Sequence, residues 1–281
     1  MTAETAAVTA RCLGGFSLTL YGEPVERWRA GKTRSLFQYL LVNRGRPVVR
    51  ERLHRVLWPD AEWSQNSSSL KVAMHALRQI LAVPSTDGGE PVVRILHQDH
   101  GYALHADDIW IDLEQFEAYF ETGRAAEARG DCATAVQMYR QAVELYDGDF
   151  LSGECADWIE EQREWTKAIA LRALDRLRDD AVARHDFLEA TRWCRRILEI
   201  DPYQEQTYQT LMYVHGYFGD LGRVKSWHEL CVRRLRDDLD VEPTSGTEHL
   251  FRRAIRGELR PRRPVGVRPV AEAAAPVRQA S

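Results

Sequence analysis

A cationic helix face is the part of the sequence whose residue types best fit a chemical task. In residues 65–81 the apolar side chains recur at i, i+4, i+7 and i+11, the spacing of an amphipathic helix: Leu70, Met74, Leu77 and Leu81. The opposite face is polar and cationic and has no acidic residue: Ser68, Lys71, Val72, His75 and Gln79, with Arg78 at its edge. Asn66 or a serine after it is expected to cap the helix start. Such a face fits the major groove of duplex DNA, and the alternative is an ordinary solvated surface.

The side chains on this face fall into two chemical classes. Ser68, Lys71, Val72 and His75 are the candidates for base reading, since Lys71 can donate to guanine O6 and N7 and Val72 can touch a thymine methyl group. Phosphate contacts position a protein on DNA without specifying sequence. The candidates for them are arginines, each of which could instead be an ordinary surface residue: Arg34, Arg50, Arg52, Arg55, Arg78 and Arg94.

No set of residues with catalytic spacing stands out. Gly31-Lys32-Thr33 resembles the end of a phosphate-binding loop, but the glycine that this loop requires at position 26 is replaced by Glu26. The histidines lack a partner at i+4, so no metal site is predicted. We therefore expect no enzyme activity and no cofactor. The five cysteines are scattered and without CxxC spacing, which predicts free thiols in a reducing cytoplasm.

Length and composition indicate a two-domain globular protein. The chain has 281 residues, 44% of them hydrophobic, with a mean hydropathy of -0.44. No apolar run approaches the ~20 residues of a membrane span, and no signal peptide opens the sequence. We expect a cytoplasmic protein with no membrane partner.

The net charge of -4 hides a division along the chain. Residues 11–105 carry 13 Lys and Arg against 8 Asp and Glu, a net charge of +5, and residues 106–257 carry 20 against 31, a net charge of -11. This asymmetry predicts that only the front half meets a polyanion.

The pattern of the front half predicts a winged helix-turn-helix domain over residues 9–106. Residues 1–8 are expected to be disordered. Then follow a small β-hairpin over 11–24, helices over 32–43 and 51–58, the helix of 65–81, and a closing hairpin over 92–104. The closing hairpin would be the wing, and the turn before the third helix is stretched into a loop.

The back half, residues 107–257, has helical patterns throughout. The pairs Gly130-Asp131, His185-Asp186 and Gly219-Asp220 occupy equivalent positions, and the last interval is 34 residues, the tetratricopeptide period. The prediction is an all-α, tetratricopeptide-like repeat domain, so the whole chain is expected to be mainly α. The tail, residues 258–281, is rich in proline and alanine and is expected to be disordered.

These motifs also resemble a known family, the actinomycete antibiotic regulatory proteins (SARPs). In the front half the similarity lies in Leu13-Gly14-Gly15-Phe16, Leu40-Leu41, Arg52-Leu53, Leu57-Trp58, Asn66, Leu70, Leu77-Arg78 and Gly101-Tyr102-Ala103-Leu104. In the back half, the bacterial transcriptional activator domain is matched by Asp112, Phe116, Gly130-Asp131, Gly148-Asp149-Phe150-Leu151, Glu205, Leu211-Met212, Gly222-Arg223 and Glu242-Pro243. The front half is similar to the output domains of response regulators, without a preceding receiver domain. The expectation is a small, two-domain form that lacks the ATPase module of larger members.

The resemblance implies a sequence-specific transcriptional activator of an antibiotic or other secondary-metabolite gene cluster, acting in the cytoplasm on the nucleoid. It implies binding to promoter direct repeats, as a homodimer on the DNA, and recruitment of RNA polymerase holoenzyme through its sigma factor and alpha subunit. The loop with Asp60, Glu62 and Trp63 would face the polymerase, although the two acids could instead serve the dipole of the next helix. The alternatives are a helical-repeat adaptor and a ligand-responsive repressor of the same fold.

Overall fold

The computed structural model of the protein describes residues 3–28, 31–64, 68–83 and 91–260. Two compact units divide the chain, Met1–Pro202 and Tyr203–Ser281. The predicted domain boundary between residues 106 and 107 lies inside the first unit, which also includes the helices of the back half as far as Pro202. Asn66 lies outside the described residues, as does the tail from residue 261.

The described residues form seven strands and ten helices. The strands are β1 (Val8–Arg11), β2 (Ser17–Leu20), β3 (Glu23–Pro24), β4 (Val48–Val49), β5 (Val93–Gln98), β6 (Gly101–Ala106) and β7 (Ile109–Ile111). The helices are α1 (Thr33–Val42), α2 (Arg50–Leu57), α3 (Ser68–Leu81), α4 (Asp112–Ala128), α5 (Cys132–Leu145), α6 (Asp157–Ala183), α7 (Phe187–Ile200), α8 (Glu205–Phe218), α9 (Leu221–Leu239) and α10 (Ser245–Ile255).

A four-stranded sheet in the order β3-β2-β1-β7 opens the fold. The prediction of a disordered segment over residues 1–8 was wrong for its last residue, since Val8 is buried and begins β1. Strand β1 pairs with β2 in antiparallel and with β7 in parallel, where Val8 lies opposite Ile109. Alternating residues of β1 and β2 are buried in the core: Val8, Ala10, Leu18 and Leu20. The Ala7 N–H donates to the Asp108 carboxylate at 3.0 Å, so the predicted linker after residue 106 is tied to the N-terminus.

The predicted winged helix is confirmed by α1, α2 and α3 with a second sheet of order β4-β6-β5. The hairpin of β5 and β6 turns at Asp99 and His100, whose φ angles of 44° and 64° suit a tight two-residue turn. Gly101 has to be glycine, because an added Cβ would lie 2.2 Å from the Val48 carbonyl oxygen. Its close approach lets β4 pair with β6 and ties the wing to the start of α2.

The predicted repeat motif recurs as a helix-turn-helix corner in the back half. Asp131, Asp186 and Asp220 each cap a helix by accepting a hydrogen bond from the backbone N–H three residues later. The residue before each aspartate has a positive φ angle, which ends the previous helix: Gly130, His185 and Gly219. The corners join α4 to α5, α6 to α7 and α8 to α9, the tetratricopeptide-like helix pairs that the spacing predicted.

A polar anchor and a backbone ladder join the two halves within the first unit. The Asp112 side chain is 1% exposed and accepts from the backbone N–H groups of Cys12, Leu13 and Leu113 at 2.8–2.9 Å. The loop after β1 runs beside residues 149–152, where Gly14 donates to Asp149 and Leu151 donates to Cys12. One hydrophobic core extends from Val8 to Ile197, so the halves of this unit share their interior.

The second unit consists of α8, α9 and α10 around a small core of Met212, Val224, Ala254 and Leu259. The Glu205 carboxylate accepts from the backbone N–H of Thr244 at 2.9 Å and so holds the start of α10. Leu259 is buried, which shows that the segment predicted to be a disordered tail from residue 258 begins with packed residues.

Candidate nucleic-acid interface

Helix α3 divides into a buried face and an exposed face as its spacing predicted. Leu70, Met74, Leu77 and Leu81 are buried, and Ala73 joins them. The small Ala73 lies between the larger side chains on the buried side. It was not predicted, because only large apolar residues were used to define that face. Burial of these side chains against the rest of the winged helix fixes the rotation of α3 about its axis.

The four predicted base-reading residues lie together on the solvent side of α3. Ser68, Lys71, Val72 and His75 are all exposed, and Val72 is 59% exposed although it is apolar. The Gln79 side-chain nitrogen lies 3.1 Å from His75 Nε2, one helical turn away. The face therefore offers one cation, two groups that can donate or accept hydrogen bonds, and one methyl-bearing surface, the mixture that reads base edges in a major groove.

The wing and α3 meet at a cationic-aromatic cluster built around Tyr102. The guanidinium groups of Arg50 and Arg78 each lie 5.7 Å from the centre of the Tyr102 ring. Arg78 also donates to the carbonyl oxygen of Ile95 at 3.1 Å, and an Arg50 Nη atom lies 2.7 Å from His97 Nε2. The cluster links the start of α2, the end of α3 and both strands of the wing, so the two arginines are held in place beside the exposed face.

Sequence reasoning selected Arg50 and Arg78 but missed Tyr102 and His97 as residues of the site. The members come from three separate segments, and their meeting depends on the pairing of β4 with β6. Tyr102 is the second residue of the motif Gly101-Tyr102-Ala103-Leu104, and an aromatic residue in a strand beside a basic helix was the available signal.

The other four arginines that were predicted to contact phosphate have protein partners. Arg34 pairs with Glu154 at 3.0 Å, Arg55 with Glu51 at 2.7 Å and Arg94 with Asp107 at 3.1 Å. Arg52 Nε donates to the Tyr39 hydroxyl at 2.7 Å. Arg52 and Arg55 line a recess that Trp158 of α6 also lines, so the six arginines do not form one continuous patch.

The loop between α2 and α3 is fastened at its base and acidic at its surface. Trp58 and Trp63 lie on the buried His54 ring, with centroid distances of 5.4 and 5.3 Å. Asp60 and Glu62 are exposed. Trp63, predicted to face a partner, therefore contacts the His54 ring of α2.

Two family models match the chain, one over each of these structural parts. The model of the transcriptional regulatory protein C-terminal family matches residues 28–104, which hold the winged helix. The model of the bacterial transcriptional activator domain matches residues 111–256, which hold the helix pairs. The chain belongs to the SARP family.

Known regulators are similar to this SARP over most of its length. The regulatory protein AfsR of Streptomyces coelicolor is 24% identical over 244 residues, which cover 84% of this chain and 24% of AfsR. The transcriptional regulatory protein MoaR1 of Mycobacterium tuberculosis is 25% identical over 264 residues, covering 89% of this chain and 80% of MoaR1. The chain thus spans about a quarter of AfsR but most of MoaR1.

A solved structure supports the fold. Mycobacterium tuberculosis EmbR, determined in complex with a low-affinity phosphopeptide, superimposes with a TM-score of 0.70 at 22% identity. The match covers 89% of this SARP and 65% of the EmbR chain. Among the described residues of the SARP, no helix is both long enough and apolar enough to span a bilayer.

Proposed function

We propose that this SARP is a sequence-specific, DNA-binding transcriptional activator of a bacterial secondary-metabolite gene cluster. It acts in the cytoplasm, on the nucleoid, as a homodimer at promoter direct repeats, without enzyme activity or a cofactor. The observation that carries the proposal is the exposed, acid-free face of α3 beside the Tyr102 cluster. An α-helix fits the major groove, and cations at both its end and the wing suit the flanking phosphates.

In this arrangement α3 reads bases while the wing and α2 hold the phosphates. Lys71 donates to guanine, Val72 contacts a thymine methyl group, and Ser68 and His75 supply further hydrogen bonds. Arg50 and Arg78 are directed by Tyr102 toward the backbone at the edge of the groove. The other four arginines contact phosphate only where DNA displaces their protein partners or binds beside them: Arg34, Arg52, Arg55 and Arg94.

Binding measurements with operator and random duplexes test this division of roles. Lys71→Ala should lower operator affinity by the ~1–3 kcal/mol of a good base contact and leave random-DNA affinity nearly unchanged. Arg50→Ala should weaken both duplexes and reduce the slope of log K against log salt by about one. Arg195→Ala, whose side chain is 83% exposed on α7, is the matched control for loss of a cation.

Equal loss of affinity for both duplexes in Lys71→Ala would assign Lys71 to phosphate and remove it from the base-reading set. Unchanged binding in the Lys71, His75 and Arg50 variants together would reject α3 as the DNA-binding helix. The Arg195 control shows whether a general change in net charge accounts for any loss.

Activation is proposed to run through the loop between α2 and α3, which would bind RNA polymerase holoenzyme at its sigma factor or alpha subunit. Asp60 and Glu62 lie next to the DNA-binding helix, where phosphate would repel them, so a basic protein surface is the better partner. The contacts of Trp63 and Trp58 with His54 keep this acidic tip in place.

Transcription in vitro separates this role from DNA binding. The double variant Asp60→Ala/Glu62→Ala should retain operator affinity and lose most activated transcription from a cognate promoter. Glu23→Ala, an exposed acid in β3, serves as the control variant. Operator binding that falls in parallel with transcription, or transcription that stays at the wild-type level, would contradict the polymerase role of the loop.

A further inference from the structure

A second surface of interest lies on α6, in the helical half. Trp165 is 58% exposed, although tryptophan is rarely left in water. Glu161 and Ala168 lie four residues before and three after Trp165, on the same helix face, and both are exposed. The exposed Glu164, one residue before Trp165, lies at the edge of that face. These residues, with Trp158, line a recess of about 630 Å³. We call this the Trp165 surface.

Helix α4 adds a carboxylate to the Trp165 surface. Glu117 is half-buried beside the side chains of Trp165 and Gln162. Burial is the main reason that the pKa of Glu117 is raised. Hydrogen bonds from the Trp165 and Gln162 side chains oppose this rise, and the neighbouring carboxylates Glu114 and Glu121 add to it. The exposed indole therefore lies within a field of negative charge that comes from two helices.

The carboxylates nearest Trp165 lack the cations that most other glutamates of this unit have. Within the described ranges, Glu117, Glu161 and Glu164 form no ion pair, whereas arginines pair with Glu114, Glu121, Glu127, Glu154 and Glu160. Arg163, the nearest arginine on α6, is committed to Glu160 and to the carbonyl oxygens of Phe150, Leu151 and Glu154. The Trp165 surface thus holds three carboxylates that pair with no cation among the described residues, whereas four other glutamates of α4 and α6 are paired with arginines.

We propose that the Trp165 surface binds a Lys- and Arg-rich segment of a partner protein, with a basic side chain stacked on the indole ring. Trp is the best aromatic face for a cation, and carboxylates around it strengthen the attraction and exclude other ligands. Nucleic acid and anionic lipid are repelled by the same carboxylates, which leaves a basic protein segment as the occupant. This site is independent of the DNA-binding proposal.

The test uses the full-length chain and a fluorescein-labelled peptide of twelve residues that alternates Lys-Arg pairs with Leu. Fluorescence anisotropy should show saturable binding that weakens as salt rises, and a peptide with Glu in place of Lys and Arg should not bind. Trp165→Ala and Glu161→Lys/Glu164→Lys should each weaken binding at least tenfold. The control Glu144→Lys/Glu199→Lys changes net charge equally at exposed positions elsewhere in the unit and should bind within about twofold of the wild type.

The indole N–H signal of Trp165 gives a second measurement, in a 15N-labelled protein with the signal assigned through Trp165→Phe. The basic peptide should move this signal more than those of the buried tryptophans. Failure of the basic peptide to bind the wild type, an equal loss in the control variant, or an unmoved Trp165 signal would each overturn the proposal. If Trp165→Ala does not fold, the two-glutamate variant and the indole signal still decide the question.

Discussion

Replacing Asp112 with alanine tests whether the two halves of the first unit depend on one another. The Asp112 carboxylate is the acceptor for the buried N–H groups of Cys12 and Leu13, from a loop almost a hundred residues earlier. A buried donor that loses its acceptor costs about 1–3 kcal/mol, so two give roughly 2–6 kcal/mol. Part of this cost is offset, because the variant no longer buries a charged carboxylate. We expect Asp112→Ala to lower the free energy of unfolding by about 2–4 kcal/mol.

The pH dependence supplies an independent check on the same residue. Burial, opposed by hydrogen bonds from Leu13, Cys12 and Leu113, holds the pKa of Asp112 above its usual value. An acid whose folded-state pKa is raised stabilises most at pH below its unfolded-state pKa, and this contribution is lost as pH rises through the folded-state pKa. The stability of the wild type relative to Asp112→Asn should therefore fall as pH rises across the acidic range.

Urea denaturation at several pH values measures both effects, with Asp108→Ala as the control at a half-exposed aspartate that accepts one hydrogen bond. A change below about 0.5 kcal/mol for Asp112→Ala, the range of ordinary surface substitutions, would refute the anchoring role. If the stability of the wild type relative to Asp112→Asn increases with pH, burial does not raise the pKa of Asp112.

Three further predictions follow from the packing. Leu77→Ala, at a side chain with no exposure, should cost roughly 2–5 kcal/mol in chemical denaturation, and a cost under about 0.5 kcal/mol would mean that the faces of α3 are reversed. Tyr102→Ala should cost about 3–5 kcal/mol and weaken DNA binding through Arg50 and Arg78, whereas Tyr102→Phe keeps the ring and should stay within about 1 kcal/mol of the wild type by thermal melting. A fragment of residues 1–110 should not fold cooperatively by circular dichroism, while residues 1–202 should. Cooperative melting of the short fragment would show that the shared core is dispensable.

Local patterns in the sequence predicted the helices and the wing hairpin, but not β7 (Ile109–Ile111) or the start of β1 at Val8. The apolar spacing of α3 and the turn at Asp99 and His100 act within a few residues, so they are visible in one sequence. The repeated Gly-Asp corners are local as well, because each aspartate caps the helix that it begins. The rotation of α3, and with it the exposed set of Lys71, Val72 and His75, followed from the same information.

The joint between the halves could not be predicted in this way. Leu13-Gly14-Gly15-Phe16 and Gly148-Asp149-Phe150-Leu151 were each recognised as motifs, but nothing local shows that one runs beside the other. Gly14 has a φ of +99°, in the left-handed region that favours glycine, so the glycine permits the turn beside residues 149–152. Charge counts over 11–105 and 106–257 predicted only which half meets a polyanion, and they carry no information on the backbone ladder and the shared core that join the halves.

The same long-range contacts give the arginines of the front half different partners. Counting cations in the front half treats Arg34 and Arg50 alike, but Arg34 pairs with Glu154 from the helical half, with both side chains partly exposed. A partly exposed ion pair contributes at most about 1 kcal/mol, so a phosphate can compete with Glu154 at little cost in stability. Arg50 and Arg78 are instead oriented by Tyr102, and neither pairs with a carboxylate within the part of the chain that the structure describes. We therefore expect the Tyr102 pair to contribute more affinity per arginine than Arg34, whose contact with DNA would also loosen the joint to the helical half.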